Sequence, residues 1–397
     1  MKKVTLREIT LSITDGKHGD CEPAENSGYY FVSCKDVNNG IIDYTNSRQI
    51  SERAFYETHQ RTQLEPNDIL ITNSGTIGRM ALVKDIPETY RTTFQKSVAI
   101  IKPDTSVVLP TYLYYKLQNC VKAFINSSNG SAQKNLLLGT MRNFEIDLHE
   151  SFEDQKRLSS ILKAYDDLIE NNQKQIKLLE ETAQRLYKEW FVDLHFPNYE
   201  NTPIVDGVPE GWTDSILDNI CYLSKNVLKP EQIPNECAYI GLEHMPRKSI
   251  CLSDWGNSSD ITSDKYQYIE DDILFGKIRP YFHKVGFALN NGVSSTDSII
   301  MKTTKNMWCI LLMTVSSTSF VNYASVTCKE GSKMPRADWE QMKQYKVLIP
   351  DRNTLEKFNQ YVWTITRKIK ILALSNKNLL ESRDRLLPKL MSGELEV

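Results

Sequence analysis

The sequence lacks the signals that mark membrane, secreted and zinc-binding proteins. No run of residues approaches the ~18 apolar residues of a membrane span, and the first residues contain no apolar core of a secretory signal. The eight cysteines are scattered, with no CxxC pair and no histidine at the spacing of zinc ligands. These absences favour reduced thiols, so we expect a cytoplasmic protein that has no membrane partner.

The motifs of common catalytic centres are missing as well. There is no GxxxxGK[ST] loop, no G-x-G between a strand and a helix, and no NPPY-like tetrapeptide, which argues against ATP hydrolysis and methyl transfer. The six histidines include no HExxH pair. Glu356-Lys357 lies on a helix with heptad periodicity, where solvated charges are common. We therefore predict that this chain holds no catalytic residue, no metal site and no cofactor of its own.

The net charge of −2 is low for a protein that binds DNA. A protein that wraps nucleic acid alone is usually basic, so the charge disfavours a free-standing DNA-binding protein. It still permits local basic patches, and it permits a partner that supplies most of the phosphate contacts.

What the sequence has instead is a long internal repeat. Apolar residues recur at alternating steps of four and three over residues 158–186, and the same steps recur 200 residues later over 358–386. The mean period of about 3.5 is that of a coiled coil. A single amphipathic helix on a core would show similar spacing over two or three turns, but four heptads that occur twice in one register favour the coiled coil. The predicted seam consists of Leu158, Leu162, Tyr165, Ile169, Asn172, Ile176, Leu179 and Leu186 with Phe358, Val362, Ile365, Ile369, Leu372, Asn376, Leu379 and Leu386.

The repeat extends into the segments before each helix. PNDILIT at 66–72 resembles EDDILFG at 270–276, and EIDLH at 145–149 resembles KVLIP at 346–350. Short strands, turns and a few helices alternate in both regions, which predicts an α+β fold. We expect two globular domains of mixed strands and short helices that alternate with two long helices, paired as an antiparallel coiled coil with pseudo-two-fold symmetry. The predicted boundaries are 1–150 and 212–350 for the globular domains, 151–191 and 351–397 for the helices, and 192–211 for the connector.

An antiparallel pairing of the two helices would have two consequences. A helical span of about 42 Å, at 1.5 Å per residue, would hold the globular domains at opposite ends and near one turn of B-DNA apart. Asn172 and Asn376 would place amides in adjacent layers of an apolar seam. We hypothesise that these amides bond to each other and fix the helix register. Two solvated asparagines in an open layer are the alternative.

Four loops carry residues suited to DNA recognition. In TNSGTIGR at 72–79 glycines permit close backbone approach, whereas in GKIRPYFHK at 276–284 cations alternate with aromatic rings. TTFQKS at 92–97 and GVSSTDS at 292–298 are further candidates. Loops held by strands suit major-groove recognition, although loops of this composition also occur on many proteins that do not bind DNA. The predicted DNA-binding residues are Asn73, Ser74, Thr76, Arg79, Gln95, Lys96, Lys277, Arg279, Tyr281, Lys284, Ser295, Thr296 and Lys333.

Several motifs, taken together, point to one known family. They are RDRLLPKLMSGELEV at 383–397, the helical segment 154–191, VPEGW at 208–212 and DILFGKIRPYFHKVGFA at 272–288. These motifs resemble those of the specificity (S, or HsdS) subunits of type I restriction-modification systems. The resemblance implies two target-recognition domains that each bind half of a bipartite, asymmetric site in double-stranded DNA, and a coiled coil that sets the gap.

The resemblance also implies partners. Two methyltransferase subunits would bind the coiled coil, and motor-nuclease subunits would join the assembled enzyme. S-adenosylmethionine, ATP and magnesium would belong to those partners. Residues at the helix ends would contact the partner subunits or, equally, pack against the chain's own domains: Tyr187, Trp190, Phe191, Leu387 and Leu390.

Two other functions stay open at this point. A scaffold or anti-restriction mimic would bind the methyltransferase subunits without recognising DNA, although the loop cations Lys277, Arg279 and Lys284 argue against it. An enzyme, such as a nuclease domain among the strands, is disfavoured by the missing motifs.

Overall fold

The computed structural model describes residues 1–38, 40–128, 134–328 and 334–395. Its α-helices are α1 Glu52–Thr62, α2 Pro110–Asn119, α3 Val121–Asn126, α4 Leu138–Arg142, α5 Phe152–Tyr187, α6 Trp308–Val315, α7 Thr318–Val326, α8 Trp339–Met342 and α9 Arg352–Ser392. The strands are β1 Lys2–Thr5, β2 Thr10–Asp15, β3 Tyr30–Val32, β4 Val37–Asn38, β5 Ile41–Ile42, β6 Arg48–Gln49, β7 Ile69–Thr72, β8 Met80–Leu82, β9 Thr92–Phe94, β10 Val98–Pro103, β11 Glu145–Leu148, β12 Ile204–Val205, β13 Val208–Pro209, β14 Thr213–Ile216, β15 Tyr222–Leu223, β16 Val227–Leu228, β17 Ala238–Ile240, β18 Cys251–Leu252, β19 Gly256–Asn257, β20 Lys265–Tyr268, β21 Ile273–Gly276, β22 Val285–Ala288, β23 Gly292–Ser294, β24 Ser298–Lys302 and β25 Lys346–Ile349.

The chain divides into two compact units. Unit 1 consists of Met1–Leu168 with Leu379–Val397, and unit 2 consists of Ile169–Asn378. The chain crosses from one unit to the other within α5 and within α9, so each unit combines one globular domain with part of both long helices. The mixture of helices and strands confirms the predicted α+β class.

Unit 1 is built on a four-stranded sheet. Its order is β2-β10-β7-β8, and the neighbouring strands are antiparallel. A second sheet, β6-β3-β9, contains the parallel pair β3 and β9. Strand β1 pairs with β11 antiparallel, with Lys2 opposite Leu148, and so ties the N-terminal strand to the strand that precedes α5.

Unit 2 repeats this arrangement. Strands β15-β24-β21-β22 are antiparallel neighbours like β2-β10-β7-β8, and β18 is added beside β22 in parallel. Strands β17 and β23 form a parallel pair like β3 and β9, and β14 pairs with β25 as β1 does with β11. The internal repeat of the sequence is therefore also a repeat of topology.

The central strands are buried on both faces, which explains their unbroken apolar sequences. In unit 1, Ile69 and Ile71 of β7 face a core that includes α2 and both long helices. Leu70 faces a separate core with Val32 and Phe94. Because alternate residues of a strand point to opposite faces, a strand between two cores needs apolar residues at successive positions. Strand β21 of unit 2 is buried between two cores in the same way.

In unit 2 the long helices run antiparallel. The Trp190 ring, just after α5, lies 5.7 Å from the Phe358 ring, near the start of α9. At the other end of this segment Asn172 Nδ2 donates a hydrogen bond of 2.8 Å to Asn376 Oδ1, and both amides are buried. The two amides therefore bond to each other, as hypothesised. Across both units, every predicted seam residue is buried or half-buried.

Unit 1 has a charged layer between its helix segments. Arg383 Nη1 donates to Asp166 Oδ1 at 2.6 Å, and the Tyr115 hydroxyl of α2 donates to Asp166 Oδ2 at 2.7 Å. The residues at the same heptad positions in unit 2, 200 residues away, are Ala183 and Thr366, both buried. The two units thus differ in the polarity of one layer of an otherwise similar seam.

Most of the helix-end residues are buried, which favours the second of their two expected roles, packing against the chain's own domains. Tyr187, Trp190 and Phe191 are each less than a tenth exposed and pack in the core of unit 2. Leu390 is buried and Leu387 is half-buried in the core of unit 1. These side chains therefore pack against the chain's own domains, because each helix end is where a globular domain covers the apolar stripe.

The connector at 192–211 is attached to unit 2. Phe196 packs on Trp212 with ring centroids 4.6 Å apart, and both lie in the unit 2 core. Strands β12 and β13 form a hairpin whose turn residues, Asp206 and Gly207, both have positive φ, as a tight hairpin turn requires. The connector therefore contains a hairpin and a buried aromatic anchor.

Among the described residues, no single helix is long and apolar enough to cross a membrane. Helices α6 and α7 reach the required length and composition only as a pair, and they are bent by 60° relative to each other. Helix α6 is buried along its whole length in unit 2.

Candidate nucleic-acid interface

Each unit places two of the predicted loops side by side. In unit 1, loop 73–79 joins β7 to β8 and loop 95–97 joins β9 to β10, and Asn73 N donates to Ser97 O at 3.0 Å. In unit 2, loop 277–284 joins β21 to β22 and loop 295–297 joins β23 to β24. There Lys277 N donates to Asp297 O at 2.8 Å. The repeat thus brings corresponding loops together at the same edge of each scaffold.

A third segment, which the sequence analysis did not identify, is hydrogen-bonded to one loop of each pair. In unit 1 it follows β3, where Cys34 N donates to Ser97 Oγ at 3.3 Å. In unit 2 it follows β17, where Lys248 N donates to His283 O at 2.9 Å. The segments carry exposed cations, Lys35 in unit 1 and Arg247 with Lys248 in unit 2. No motif in the sequence marks these segments, because strand pairing between distant residues places them beside the loops.

The loop 73–79 is braced from within. The Thr72 hydroxyl donates to the carbonyl of Thr76 and accepts a hydrogen bond of 2.9 Å from Arg79 N. Gly78 has a φ of +94°, and a Cβ at this position would lie 2.5 Å from Val121 Cγ1. The turn therefore depends on glycine both for its backbone conformation and for its close approach to α3.

The predicted residues of unit 1 differ in how accessible they are. Thr76 and Lys96 are exposed, whereas Ser74, Arg79 and Gln95 are half-buried. Asn73 is only 5% exposed, and its Oδ1 has no hydrogen-bond partner among the described residues. The burial of the Asn73 side chain therefore argues against its prediction as a DNA-binding residue.

Two predicted lysines of unit 2 brace loops with their side chains. Lys277 Nζ donates to Thr296 O at 2.8 Å, and Lys284 Nζ donates to Leu242 O at 2.5 Å. Burial lowers the pKa of both ammonium groups. Because an ammonium group has three donors, each lysine keeps N–H groups for another acceptor.

The remaining predicted residues of unit 2 lie at the surface of the loops. Tyr281 is 55% exposed, Thr296 is exposed, and Ser295 is half-buried. Arg279 is half-buried with a φ of +51°, and its backbone N donates to Pro335 O at 2.8 Å. Lys333 lies outside the described residues.

A cavity of about 250 Å³ opens beside these loops. Lys225, Tyr266 and Lys277 line it, together with Trp339 of α8. Lys277 Nζ lies 5.5 Å from the centroid of the Tyr266 ring. Asp338 and Glu340 line the cavity as well, so its walls carry charges of both signs and do not favour phosphate. Within the described ranges, no group of three or more His, Cys, Asp or Glu residues is placed to hold a metal ion.

Comparisons with known proteins find sequences similar to this chain. Residues 3–181 match the type I restriction modification DNA specificity domain. The type I restriction enzyme MjaIX specificity subunit of Methanocaldococcus jannaschii is 29% identical over 394 residues, which cover 92% of this chain and 87% of that protein. The EcoBI specificity subunit of Escherichia coli is 29% identical over 160 residues, 38% of this chain and 33% of that protein.

A solved structure shares the fold. The crystal structure of the type I restriction-modification system S subunit from M. genitalium superposes with a TM-score of 0.58 at 14% identity, over 98% of this chain and 95% of that one. Over most of its length the chain is therefore similar to a specificity subunit of a type I restriction enzyme, and its residues 3–181 match the DNA specificity domain of such systems.

Proposed function

We propose that this chain is the DNA-specificity subunit of a type I restriction-modification enzyme. It recognises a bipartite, asymmetric site in double-stranded DNA, with the loops of unit 1 on one half-site and those of unit 2 on the other. The repeated scaffold carries the proposal, since it presents loops at the same three positions in both units but fills them with unlike side chains. Rigid strands with variable loops are the arrangement by which similar domains recognise different sequences.

The loop side chains divide between phosphate and base contacts. Exposed Lys96 and Lys35 of unit 1 suit phosphate oxygens, and the Arg279 guanidinium of unit 2 suits a base edge. The net charge of −2 means that partner subunits supply much of the phosphate neutralisation.

The long helices set the spacing of the half-sites and bind the partner subunits. The chain crosses between the units only within α5 and α9, which supports the spacing role. Both helices also carry exposed apolar residues, Leu168 and Leu178 on α5 and Ile371 on α9. Such residues suit a protein interface. Two methyltransferase subunits bind because the helix occurs twice, and motor-nuclease subunits join the complex.

Catalysis and cofactors belong to the partners in this proposal. S-adenosylmethionine supplies the methyl group, and ATP with magnesium drives the motor-nuclease subunits. This chain contributes the choice of DNA sequence and acts in the cytoplasm, where the DNA is.

The first test is a domain exchange. Methylated adenines are mapped genome-wide in cells that carry the wild-type gene, no gene, or a chimaera in which residues 1–150 come from another specificity subunit. The wild-type gene should produce one bipartite motif, and the chimaera should change only one half of it. Methylation that does not depend on the gene, or that changes in both halves, would contradict the proposal.

The second test removes one facing heptad from each long helix, residues 169–175 and 373–379, which surround Asn172 and Asn376. At 1.5 Å per residue, each helix shortens by about 10 Å, so the gap between half-sites should shrink by about three base pairs. Deletion in α5 alone is the control, because it breaks the pairing and should abolish methylation. An unchanged gap in the double deletion would reject the spacing role.

A further inference from the structure

Unit 2 contains two arginines stacked on one aromatic ring. Arg247 Cζ lies 4.0 Å from the centroid of the Phe282 ring, and Arg279 Cζ lies 5.8 Å from the same centroid. We call these three residues the arginine–phenylalanine cluster. Stacking on a ring holds a guanidinium in place through its face, so the N–H donors at its edge stay available.

Neither guanidinium is engaged elsewhere. Over the described ranges, neither Arg247 nor Arg279 has an ion pair or a side-chain hydrogen bond. Arg336, the next arginine along the chain, instead pairs with Asp297 at 3.4 Å. Arg247 is exposed and Arg279 is half-buried, so both can reach a ligand at the loop surface.

The backbone beneath the cluster is fixed from several sides. Arg279 N donates to Pro335 O at 2.8 Å, and Lys248 N donates to His283 O at 2.9 Å. The ring nitrogen Nε2 of His283 lies 2.8 Å from Ser316 O. Arg279 and His283 both have positive φ, a conformation that surrounding contacts must hold in place. The cluster is therefore positioned before any ligand arrives, which lowers the entropy lost on binding.

The charge around the cluster favours a ligand with acceptor atoms. Burial lowers the pKa of Lys284, and the neighbouring charge of Arg247 lowers it further. The nearby carboxylate, Glu243, contacts His244 at 3.8 Å and forms no ion pair with Arg247 in the described chain. The edge of guanine in the major groove offers two acceptors, O6 and N7, and arginine binds both at once. The same edge of adenine has one acceptor and one donor, so it cannot accept both N–H groups.

We infer that the arginine–phenylalanine cluster recognises guanine, through O6 and N7, in the half-site bound by unit 2. The inference rests on the proposed function and adds the base and the residues. Because both guanidiniums lie close to one ring and base pairs rise about 3.4 Å, the two arginines reach the same or neighbouring base pairs. The corresponding loop of unit 1, TNSGTIGR, has one arginine and no aromatic residue, so this recognition belongs to unit 2 alone.

The test uses the chain assembled with its methyltransferase subunits and a DNA library randomised at both half-sites. Arg247→Lys and Arg279→Lys keep the positive charge but lose the paired donors. Each variant should lose about tenfold of its preference for a G·C pair at one position of the unit 2 half-site, while the unit 1 half-site stays unchanged. Phe282→Leu should weaken the preference at each position that either arginine recognises.

Arg367→Lys is the matched control. Arg367 also stacks on an aromatic ring in unit 2, 5.8 Å from the centroid of Trp363, but it lies on α9. This variant should leave both half-sites unchanged. Thermal unfolding of each assembled complex shows that the variants are folded.

Each other outcome has a definite meaning. If the wild-type complex prefers a bipartite site but neither lysine variant changes a G·C position, the inference is wrong and the proposed function stands. If the lysine variants weaken methylation equally at all sequences, the cluster binds phosphate and the inference is again wrong. If the wild-type complex shows no sequence preference, the proposed function itself fails.

Discussion

Units 1 and 2 use the same pair of parallel strands but cover it differently. In unit 1, β9 is the last strand of its sheet, and α1 packs against it. In unit 2, the corresponding strand β23 pairs with β20, so its sheet continues through β20 to β16. The loops that follow β9 and β23 nevertheless occupy the same place in each unit. The frame that positions the loops therefore tolerates a helix or a strand at its side.

The loops themselves obtain their turns by different means. Unit 1 uses Gly75 and Gly78 for its positive φ angles, whereas unit 2 forces Arg279 and His283 into the left-handed region. The glycines have no side chain, so the backbone of the unit 1 loop can approach neighbouring residues closely. In unit 2 the Arg279 side chain lies over the Phe282 ring, and the His283 ring is hydrogen-bonded to Ser316 O. The comparison indicates that one scaffold serves two kinds of recognition surface.

The largest expected effect comes from the charged layer, which only unit 1 has. Arg383→Met should lower the free energy of unfolding by about 2 kcal/mol, because Asp166 then lacks its counter-ion. Both side chains are partly exposed, 18% and 27%, so the loss should be below that of a fully buried pair. Chemical denaturation measures the change. The double variant Asp166→Asn with Arg383→Met should recover most of it, and a single variant as stable as wild type would show that the layer contributes nothing.

The glycine turn of unit 1 gives the next effect. Gly78→Ala should destabilise unit 1 by about 1–2 kcal/mol, since alanine is strained at positive φ and its Cβ would meet Val121. Recognition of one half-site should weaken, as methylation mapping would show. Gly139→Ala is the matched control, because a Cβ there has nothing within 4 Å and alanine suits α4. Equal effects of the two variants would show that the turn does not depend on glycine.

The hydrogen bond between Asn172 and Asn376 is predicted to fix the register of the two long helices as well as to stabilise their pairing. Asn172→Leu should cost about 1–2 kcal/mol, because the Asn376 amide is left buried without its partner. The double variant Asn172→Leu with Asn376→Leu should regain stability, while the gap between methylated half-sites becomes variable. If the double variant keeps one gap and an unchanged partner stoichiometry, the amides do not set the register.

The smallest expected effect is a pH dependence of α1, the helix that covers β9 in unit 1, which strand β20 beside β23 in unit 2 should lack. His59 of α1 is stacked on Phe55 at 4.7 Å, and burial lowers its pKa below the ordinary 6.5. A depressed pKa in the folded state means that the unfolded chain takes up the proton first, so stability is lost as the pH falls below 6.5. Amide exchange in α1 should therefore accelerate at acid pH, after correction for intrinsic rates.

Two comparisons make this experiment decisive. His59→Phe keeps the stack and removes the titration, so the pH dependence in α1 should flatten. Strand β20 contains no histidine and should show no such dependence. Identical pH profiles for the wild type and His59→Phe would exclude His59 as the cause.

Much of the fold was predictable because its signals are local and occur twice. The heptad steps specify long helices, and their repetition predicts the antiparallel seam that includes Asn172 and Asn376. The apolar run in β7 predicts a strand between two cores. The third segment was not predictable, because the parallel pairing of β3 with β9 joins residues about 60 positions apart.

The candidate site was predicted at the level of loops but not of single side chains. Composition identified Asn73 as polar but could not show that its side chain turns inward. Arg247 belongs to no motif of the sequence, and only the fold places it on Phe282. Likewise, the apolar residues Tyr187 and Trp190 required a cover, but their spacing did not specify whether a domain or a partner supplies it.

The C-terminal part of α9 constrains the order in which the protein forms. Leu390 and Met391 complete the core of unit 1, and Lys116 Nζ donates to Met391 O at 2.6 Å. A ribosome makes these residues only after the whole of unit 2, which at ~5–20 residues per second takes roughly 10–40 seconds. Unit 2, although synthesised later, is therefore the first unit to have all of its residues. Until the end of α9 emerges, the nascent unit 1 has an open apolar face that needs protection.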